Sequence, residues 1–235
     1  MQRYFANKNG NKIILGDGDV HHLLHVMRAR VNDEIEAVAD SKIYSAIVKS
    51  LSPLDIEINY EIPSDSELPS DVTLFFALAK GDKIEFVIQK ATELGVKRIV
   101  LLKTERSVVK FDDKSIEHKL ERFNKIAKEA SEQSHRVVIP EIVGPVDIRK
   151  IPSEYLCDIN LLAYEKEAGS TVNSFERLEK GKSVSIMIGP EGGFSKEEVL
   201  LLQDKFGLIS LGKRILRTET AAVYALSVIG YLLEK

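Results

Sequence analysis

The chain has 235 residues, 44% of them hydrophobic and 29% charged, the balance of a globular protein with room for one large domain or two small ones. This composition excludes a disordered, collagen-like or mucin-like chain, and no apolar run approaches the roughly 18 residues of a membrane span. The single cysteine, Cys157, excludes an internal disulfide framework and a multi-cysteine zinc site. The start, Met1-Gln2-Arg3-Tyr4-Phe5, lacks the apolar stretch of a secretory leader, so a cytosolic (cytoplasmic) protein is the simplest expectation. Net charge is −3, and residues 1–65 hold 7 basic and 10 acidic side chains, leaving 26 of each beyond them. Neither part carries the basic excess of a general nucleic-acid binder, so an RNA partner would have to be met by local clusters.

In chain order, short alternating stretches come first: Lys12–Leu15, Glu34–Ala39, Tyr44–Lys49 and Asp55–Ile62. Alternation with period two predicts half-buried strands of a small sheet or barrel. A helical insert is predicted at about Asp19–Arg28. The segment from Ile62 to Ser70 is rich in Pro and Ser and reads as a linker. Beyond it, strands alternate with helices. Val72–Ala79 is almost wholly apolar, as expected of a strand buried on both faces. Asp82–Leu94 reads as a helix with Ile84, Ile88, Ala91 and Leu94 on one face, Asp82 and Glu85 at capping-box spacing, and Gly95 as its stop. Arg98–Leu102 follows as a strand, and Asp113–Gln133 as a long helix with Ile116, Leu120, Phe123, Ala127 and Ala130 in one stripe. Ile159–Tyr164 and Val184–Ile188 are apolar strands. Ser195–Phe206 is a helix with a Ser195/Glu198 capping box and Gly207 at its end, and Ile209–Leu211 is a short strand. Thr218–Leu233, apolar nearly all round, belongs in a core or a subunit interface. The alternation predicts an α/β domain with a mainly parallel sheet.

In such sheets ligands gather at the carboxyl ends of the strands, and three loops stand there. Ile188-Gly189-Pro190-Glu191-Gly192-Gly193-Phe194 joins a buried strand to a capped helix. Its glycines permit close approach to a ligand, or simply a tight turn. It lacks the Lys-Ser/Thr of a phosphate-binding P-loop and the spacing of a dinucleotide fingerprint. Leu211-Gly212-Lys213-Arg214-Ile215-Leu216-Arg217-Thr218-Glu219-Thr220-Ala221 runs from a strand into the last helix. Thr218 or Thr220 can cap that helix and Glu219 suits its positive end, which leaves Arg217 unexplained except as an anion-binding group. Leu161-Leu162-Ala163-Tyr164-Glu165 is a strand running into a carboxylate.

Taken with further segments, these loops carry a resemblance. The segments are His21-His22 through Val26-Met27-Arg28, Lys80-Gly81-Asp82-Lys83, Gln89-Lys90-Ala91-Thr92-Glu93-Leu94-Gly95-Val96, Glu105-Arg106-Ser107 and Glu129-Ala130-Ser131-Glu132-Gln133-Ser134. In this order and at these distances the chain resembles the ribosomal small-subunit RNA methyltransferase E (RsmE) family of the SPOUT superfamily. Departures are Asn32 at a usual glycine, Phe123 at a common tryptophan and Met27 at a usual leucine, each compatible with the local role.

The resemblance implies a PUA-like RNA-binding β-barrel over residues 1–65 and a SPOUT domain with a trefoil knot over residues 71–235. It implies a homodimer, S-adenosylmethionine as cofactor, and methylation of N3 of a particular uridine in 16S ribosomal RNA. The cofactor would be held by Leu162, Ala163, Tyr164 and Glu165, by Ile188, Gly189, Pro190, Glu191, Gly192 and Gly193, and by Leu211, Gly212, Ile215, Leu216, Thr218, Thr220 and Ala221. Arg217 is the first catalytic candidate and Arg3 the second, the latter by its match to the family's N-terminal arginine. His22, Arg28, Arg30, Lys42 and Arg106 are the candidate RNA contacts, with solvated surface residues as the alternative. His21 and His25 have helical metal-ligand spacing but no third ligand, so no metal is expected.

Overall fold

A computed structural model describes residues 2–107, 113–165, 175 and 178–235. They form two compact units: the first is Met1–Glu67 with Ser131–Val138, the second Leu68–Ala130 with Ile139–Lys235.

The first unit is built on a six-stranded sheet. Its strands are β1 (Arg3–Phe5), β2 (Asn7–Asn9), β3 (Lys12–Ile14), β4 (Glu34–Ala39), β5 (Lys42–Leu51) and β6 (Leu54–Ile62), in the spatial order β1-β4-β5-β6-β3-β2. All pairs are antiparallel except β1 with β4. Register shifts in β5 against β6 bend the long hairpin, and the curled sheet brings β2 beside β4. Alternation works as expected: Ile35, Ala37, Ala46, Val48 and Ile56 point into one core with Tyr4 and Leu23. The expected helical insert is α1 (Asp17–His21) continued by a π-helical turn, His22–Val26. Asn32, standing at a usual glycine, takes φ +73°, the left-handed conformation that asparagine tolerates best after glycine. The three-residue strands β1 and β2 were not foreseen, because β2 is wholly polar and exposed.

The Pro/Ser-rich segment is less free than a linker. The Glu67 carboxylate accepts from the buried Arg136 guanidinium at 2.6 Å and from the Val137 amide at 2.9 Å. The Ser70 hydroxyl accepts from the Gly181 amide within the second unit.

Tyr4 is 1% exposed, and its hydroxyl lies 2.9 Å from His22 Nδ1. Burial first, then the nearby Asp19 and Glu132 carboxylates, push its phenol up to about 12. A folded-state value above the unfolded one means that the stabilisation is complete below about pH 10 and is lost as pH rises through 12. We expect the parent to lose roughly 2 kcal/mol over that window through this group. Denaturant unfolding at pH 9 and pH 12 should show a shallower loss for Tyr4→Phe.

The second unit holds a parallel six-stranded sheet. Its strands are β7 (Val72–Ala77), β8 (Arg98–Lys103), β9 (Glu141–Asp147), β10 (Ile159–Ala163), β11 (Val184–Ile188) and β12 (Gly207–Ile209), ordered β12-β10-β11-β7-β8-β9. Every residue of β7 and β11 is buried, which explains their continuous apolar runs. Helices α2 (Lys83–Glu93), α3 (Asp113–Gln133), α4 (Lys196–Leu202) and α5 (Thr218–Glu234) complete the chain. One core packs Leu74, Ile99 and Ile186 with Ile88 of α2, Phe123 of α3 and Leu226 of α5. The other packs Phe75, Val100, Leu162 and Met187 with Val199, Leu202 and Phe206. No helix among the described residues is long and apolar enough to cross a membrane.

Several local expectations are corrected. Asp82 makes no side-chain cap on α2, although Gly95 ends the helix at φ +85°. The Ser195/Glu198 capping box is present, but α4 stops at Leu202. Phe206 then turns into the core, 5.8 Å from the Phe75 ring, and Gly207 opens β12 instead of closing a helix. The strand expected at 209–211 therefore lies two residues earlier, and Ser210 to Gly212 become loop. Strand β9 was not foreseen. It contains Gly144 and Pro145, and its place at the sheet edge tolerates the missing amide.

Candidate active site

The carboxyl ends of β10, β11 and β12 release three loops, and these enclose a cavity of about 480 Å³, within the size range of small-ligand sites. Ala163, Tyr164 and Glu165 come from the first loop, Ile188 to Glu191 with Gly193 and Phe194 from the second, and Ser210 to Thr218 with Ala221 from the third. Lys83 of α2 completes the wall. Parallel pairing aligns the three strand ends, with Leu162 beside Met187 and Ala163 beside Ile209, so loops distant from one another in sequence open on one side.

The loops are latched to each other. The Thr218 hydroxyl donates to the Gly189 carbonyl at 2.6 Å. Thr218 or Thr220 was expected to cap α5, but the N-cap is Arg217 and no side chain caps it. The Tyr164 amide donates to the Ile209 carbonyl at 2.8 Å. The Gly193 amide closes a turn onto the Pro190 carbonyl at 2.9 Å, with Gly193 at φ +66°. A Cβ there would lie 3.2 Å from the Glu165 carboxylate, and one at Gly189 would lie 3.0 Å from the Phe194 ring. Glycine at both positions follows from close packing, and at Gly193 from backbone conformation too.

Electrostatically, the cavity mouth is organised around Lys83. Its ammonium is 2.9 Å from Glu191 and 3.5 Å from Glu219, the latter within ion-pair distance but without hydrogen-bond geometry. The hydrogen bond to Glu191 raises the Lys83 pKa. For Glu191, burial opposes the charge, yet Lys83 and backbone amides outweigh it and hold the carboxyl below its usual range. Arg217 lines the cavity, is exposed, and its guanidinium has no hydrogen bond or ion pair among the described residues.

Most sequence-derived cofactor candidates converge here, with three exceptions. Leu162 is fully buried in the core below the loop. Thr220 is exposed and off the cavity wall. Gly192 faces Arg106, whose guanidinium donates to the Gly192 carbonyl at 2.9 Å and whose Cβ lies 3.3 Å from the position a Cβ would take. Lys83, Phe194, Ser210, Lys213 and Arg214 also line the cavity, and none of them was assigned from sequence. Lys213 and Arg214 lie inside the loop already singled out. Lys83 lies in the Lys80-Gly81-Asp82-Lys83 segment already singled out, but its partner Glu191 is 108 residues away and gave it no assigned role.

Arg3 is not a cavity residue. It is 6% exposed in the first unit, where its guanidinium pairs with Glu36 at 2.7 Å and donates to the His135 carbonyl. Among the RNA candidates, His22 is bound to Tyr4 and Lys42 to Glu61 at 2.9 Å. Arg28, at φ +53°, and Arg30 are exposed after the π-helical turn. The His21 and His25 rings stand 4.7 Å apart. No group of three or more potential metal ligands occurs among the described residues.

A family model described as an RNA methyltransferase domain matches residues 66–230, and one described as an RNA methyltransferase PUA domain matches residues 15–59. The fold is thus that of an RNA methyltransferase domain. Ribosomal RNA small subunit methyltransferase E of Bacillus subtilis is 39% identical, over 100% of this chain and 98% of the relative. The Aquifex aeolicus protein of that name is 33% identical, over 96% and 97%. The crystal structure of ribosomal RNA small subunit methyltransferase E from Neisseria gonorrhoeae, bound to S-adenosyl methionine, superposes with a TM-score of 0.86 at 31% identity, covering 99% of this chain and 98% of that one. This chain belongs to the ribosomal RNA small subunit methyltransferase E family.

Proposed function

We propose that this chain methylates N3 of a specific uridine in 16S ribosomal RNA, within the small ribosomal subunit, using S-adenosylmethionine. The observation that carries the reading is the Arg217 guanidinium, without a partner among the described residues, at a cavity walled by close-packed glycine loops. The cavity fits such a cofactor. Its walls combine apolar Ile188, Leu211, Leu216 and Ala221 with the glycine turns, and Gly189 and Gly193 let the Phe194 ring and the Glu165 carboxylate close against those turns as further wall. S-adenosylmethionine supplies an activated methyl group on sulfur, so the protein's part is binding, orientation and electrostatics.

For uridine N3 to attack, its proton must leave, and the resulting charge spreads onto the two flanking carbonyl oxygens. Arg217 is placed to stabilise that charge and, as an arginine, is no proton acceptor. RNA contact falls to local clusters. Lys213 and Arg214 are exposed in the loop that carries Arg217, and Arg28 with Arg30 form a second basic group in the first unit; Lys42, His22 and Arg106 complete the candidate set. A homodimer is supported by α5, where Tyr224 and Tyr231, two turns apart on one face, are 45% and 66% exposed. The cytoplasm, where small subunits are assembled, is the expected site of action.

The test uses small ribosomal subunits from cells lacking the corresponding methylase, incubated with the protein and labelled S-adenosylmethionine. The expected product, after RNA digestion and mass spectrometry of nucleosides, is N3-methyluridine at one site. Cofactor binding without label transfer to the RNA overturns the proposed substrate.

A further inference from the structure

Lys83 occupies the first turn of α2, where a cation opposes the helix dipole. The helix has no local use for it. Its ammonium reaches instead into the cavity wall and meets two carboxylates from different loops. Glu191, at 2.9 Å, directly precedes Gly192 and Gly193. Glu219, at 3.5 Å, lies two residues beyond Arg217 in the first turn of α5. Glu219 Oε2 is buried and accepts no hydrogen bond among the described residues, and Lys83 at 3.5 Å is the cation beside it. The Thr218–Gly189 hydrogen bond already joins these loops at one point. Lys83 adds a second point of contact between the same two loops, two residues from Arg217. Half-exposed ion pairs contribute little to stability, so the expected effect of this triad is on geometry.

We propose that Lys83 is a positioning residue for methyl transfer: through Glu191 and Glu219 it joins the glycine-rich loop to the start of α5 and sets Arg217 against the bound cofactor. The inference rests on the reading of this cavity as the methyl-transfer site. Misplacement of a reacting arrangement by about 1 Å can cost roughly a hundredfold in rate.

The experiment compares the parent with Lys83→Gln, Glu219→Gln and the double variant, with Glu191→Gln as a further break in the same triad. Single-turnover transfer to small subunits is measured at saturating S-adenosylmethionine, cofactor Kd by calorimetry, and the melting temperature of each variant. Lys83→Gln should slow transfer by roughly tenfold to a hundredfold, with Kd within about threefold and melting within about 3 °C of the parent. Glu219→Gln should slow transfer too, and the double variant should be no slower than the slower single one, because both break one tie. Transfer by Lys83→Gln at the parental rate, losses that multiply in the double variant, or a loss recovered by added cofactor each overturns the positioning role while leaving the methyl-transfer reading intact. A parent that transfers no methyl group overturns both.

Discussion

Arg217→Ala is expected to slow methyl transfer by about a hundredfold to a thousandfold while S-adenosylmethionine affinity stays within about threefold of the parent. The magnitude is that of removing one preorganised group aimed at developing charge, roughly 3 to 4 kcal/mol of transition-state stabilisation. The structure makes this a clean deletion. Arg217 is the N-cap of α5 through its backbone, and no side chain caps that helix. Its guanidinium is exposed with no partner among the described residues. The latch from Thr218 to Gly189 does not involve it. Removing the side chain therefore leaves the loops in place and removes only the positive charge at the cavity. Pre-steady-state transfer and calorimetry on the same preparation separate the two effects. Equal turnover by the variant would discard the role, and a matching loss of cofactor affinity would reassign Arg217 to cofactor binding.

Gly193→Val is expected to abolish measurable cofactor binding, a loss of at least about a hundredfold. Two costs coincide. At φ +66° a residue with a Cβ is strained by roughly 1–2 kcal/mol, and a β-branched one by more. The new Cβ would also meet Glu165 at 3.2 Å, before the two further methyl carbons are counted. Relief requires the turn closed by the Gly193 amide and Pro190 carbonyl to open, and that turn forms the cavity wall. Gly181→Ala is the control. It carries comparable backbone strain at φ +84°, but nothing among the described residues lies within 4 Å of its Cβ position. Calorimetry should find cofactor affinity unchanged in Gly181→Ala, reduced in Gly193→Ala and lost in Gly193→Val. Parental affinity in Gly193→Val would remove this turn from the binding site.

Elements with strong periodicity were legible in the sequence: β4, β7 and β11, the buried faces of α2 and α3, and the capping box of α4. The missed elements share a physical reason, which is that their hydrogen bonds are set by neighbours and not by their own pattern. Strand β9 carries Pro145 and becomes a strand because β8 offers it an edge. The shift of β12 follows from Phe206 seeking the ring of Phe75, a partner 131 residues away in sequence. At the site, the glycine turns were readable because a missing side chain is visible in sequence. Lys83 was not readable as a site residue, because what defines it is the convergence of two carboxylates from distant loops. Thr218 shows the intermediate case: its residue type fitted a cap, and only the approach of the Gly189 carbonyl shows where the hydroxyl goes.

The assignment of Ser131–Val138 to the first unit makes that unit discontinuous in the chain. Its N-terminal strand depends on the late segment: the Phe5 amide donates to Glu132, and the Arg3 guanidinium to the His135 carbonyl. Glu67 likewise finds Arg136 there. A fragment ending in the Pro/Ser-rich segment would leave Arg3 short of an acceptor and Glu67 without its cation. During synthesis, the contacts of the first unit are therefore complete only once residue 138 has been made, although its sheet is complete at residue 62. By then β7, α2, β8 and α3 of the second unit have also been made, so completion of the first unit waits on part of the second. The first unit is accordingly no transferable cassette: a fusion that borrows residues 1–67 should be compared with one that also supplies 131–138.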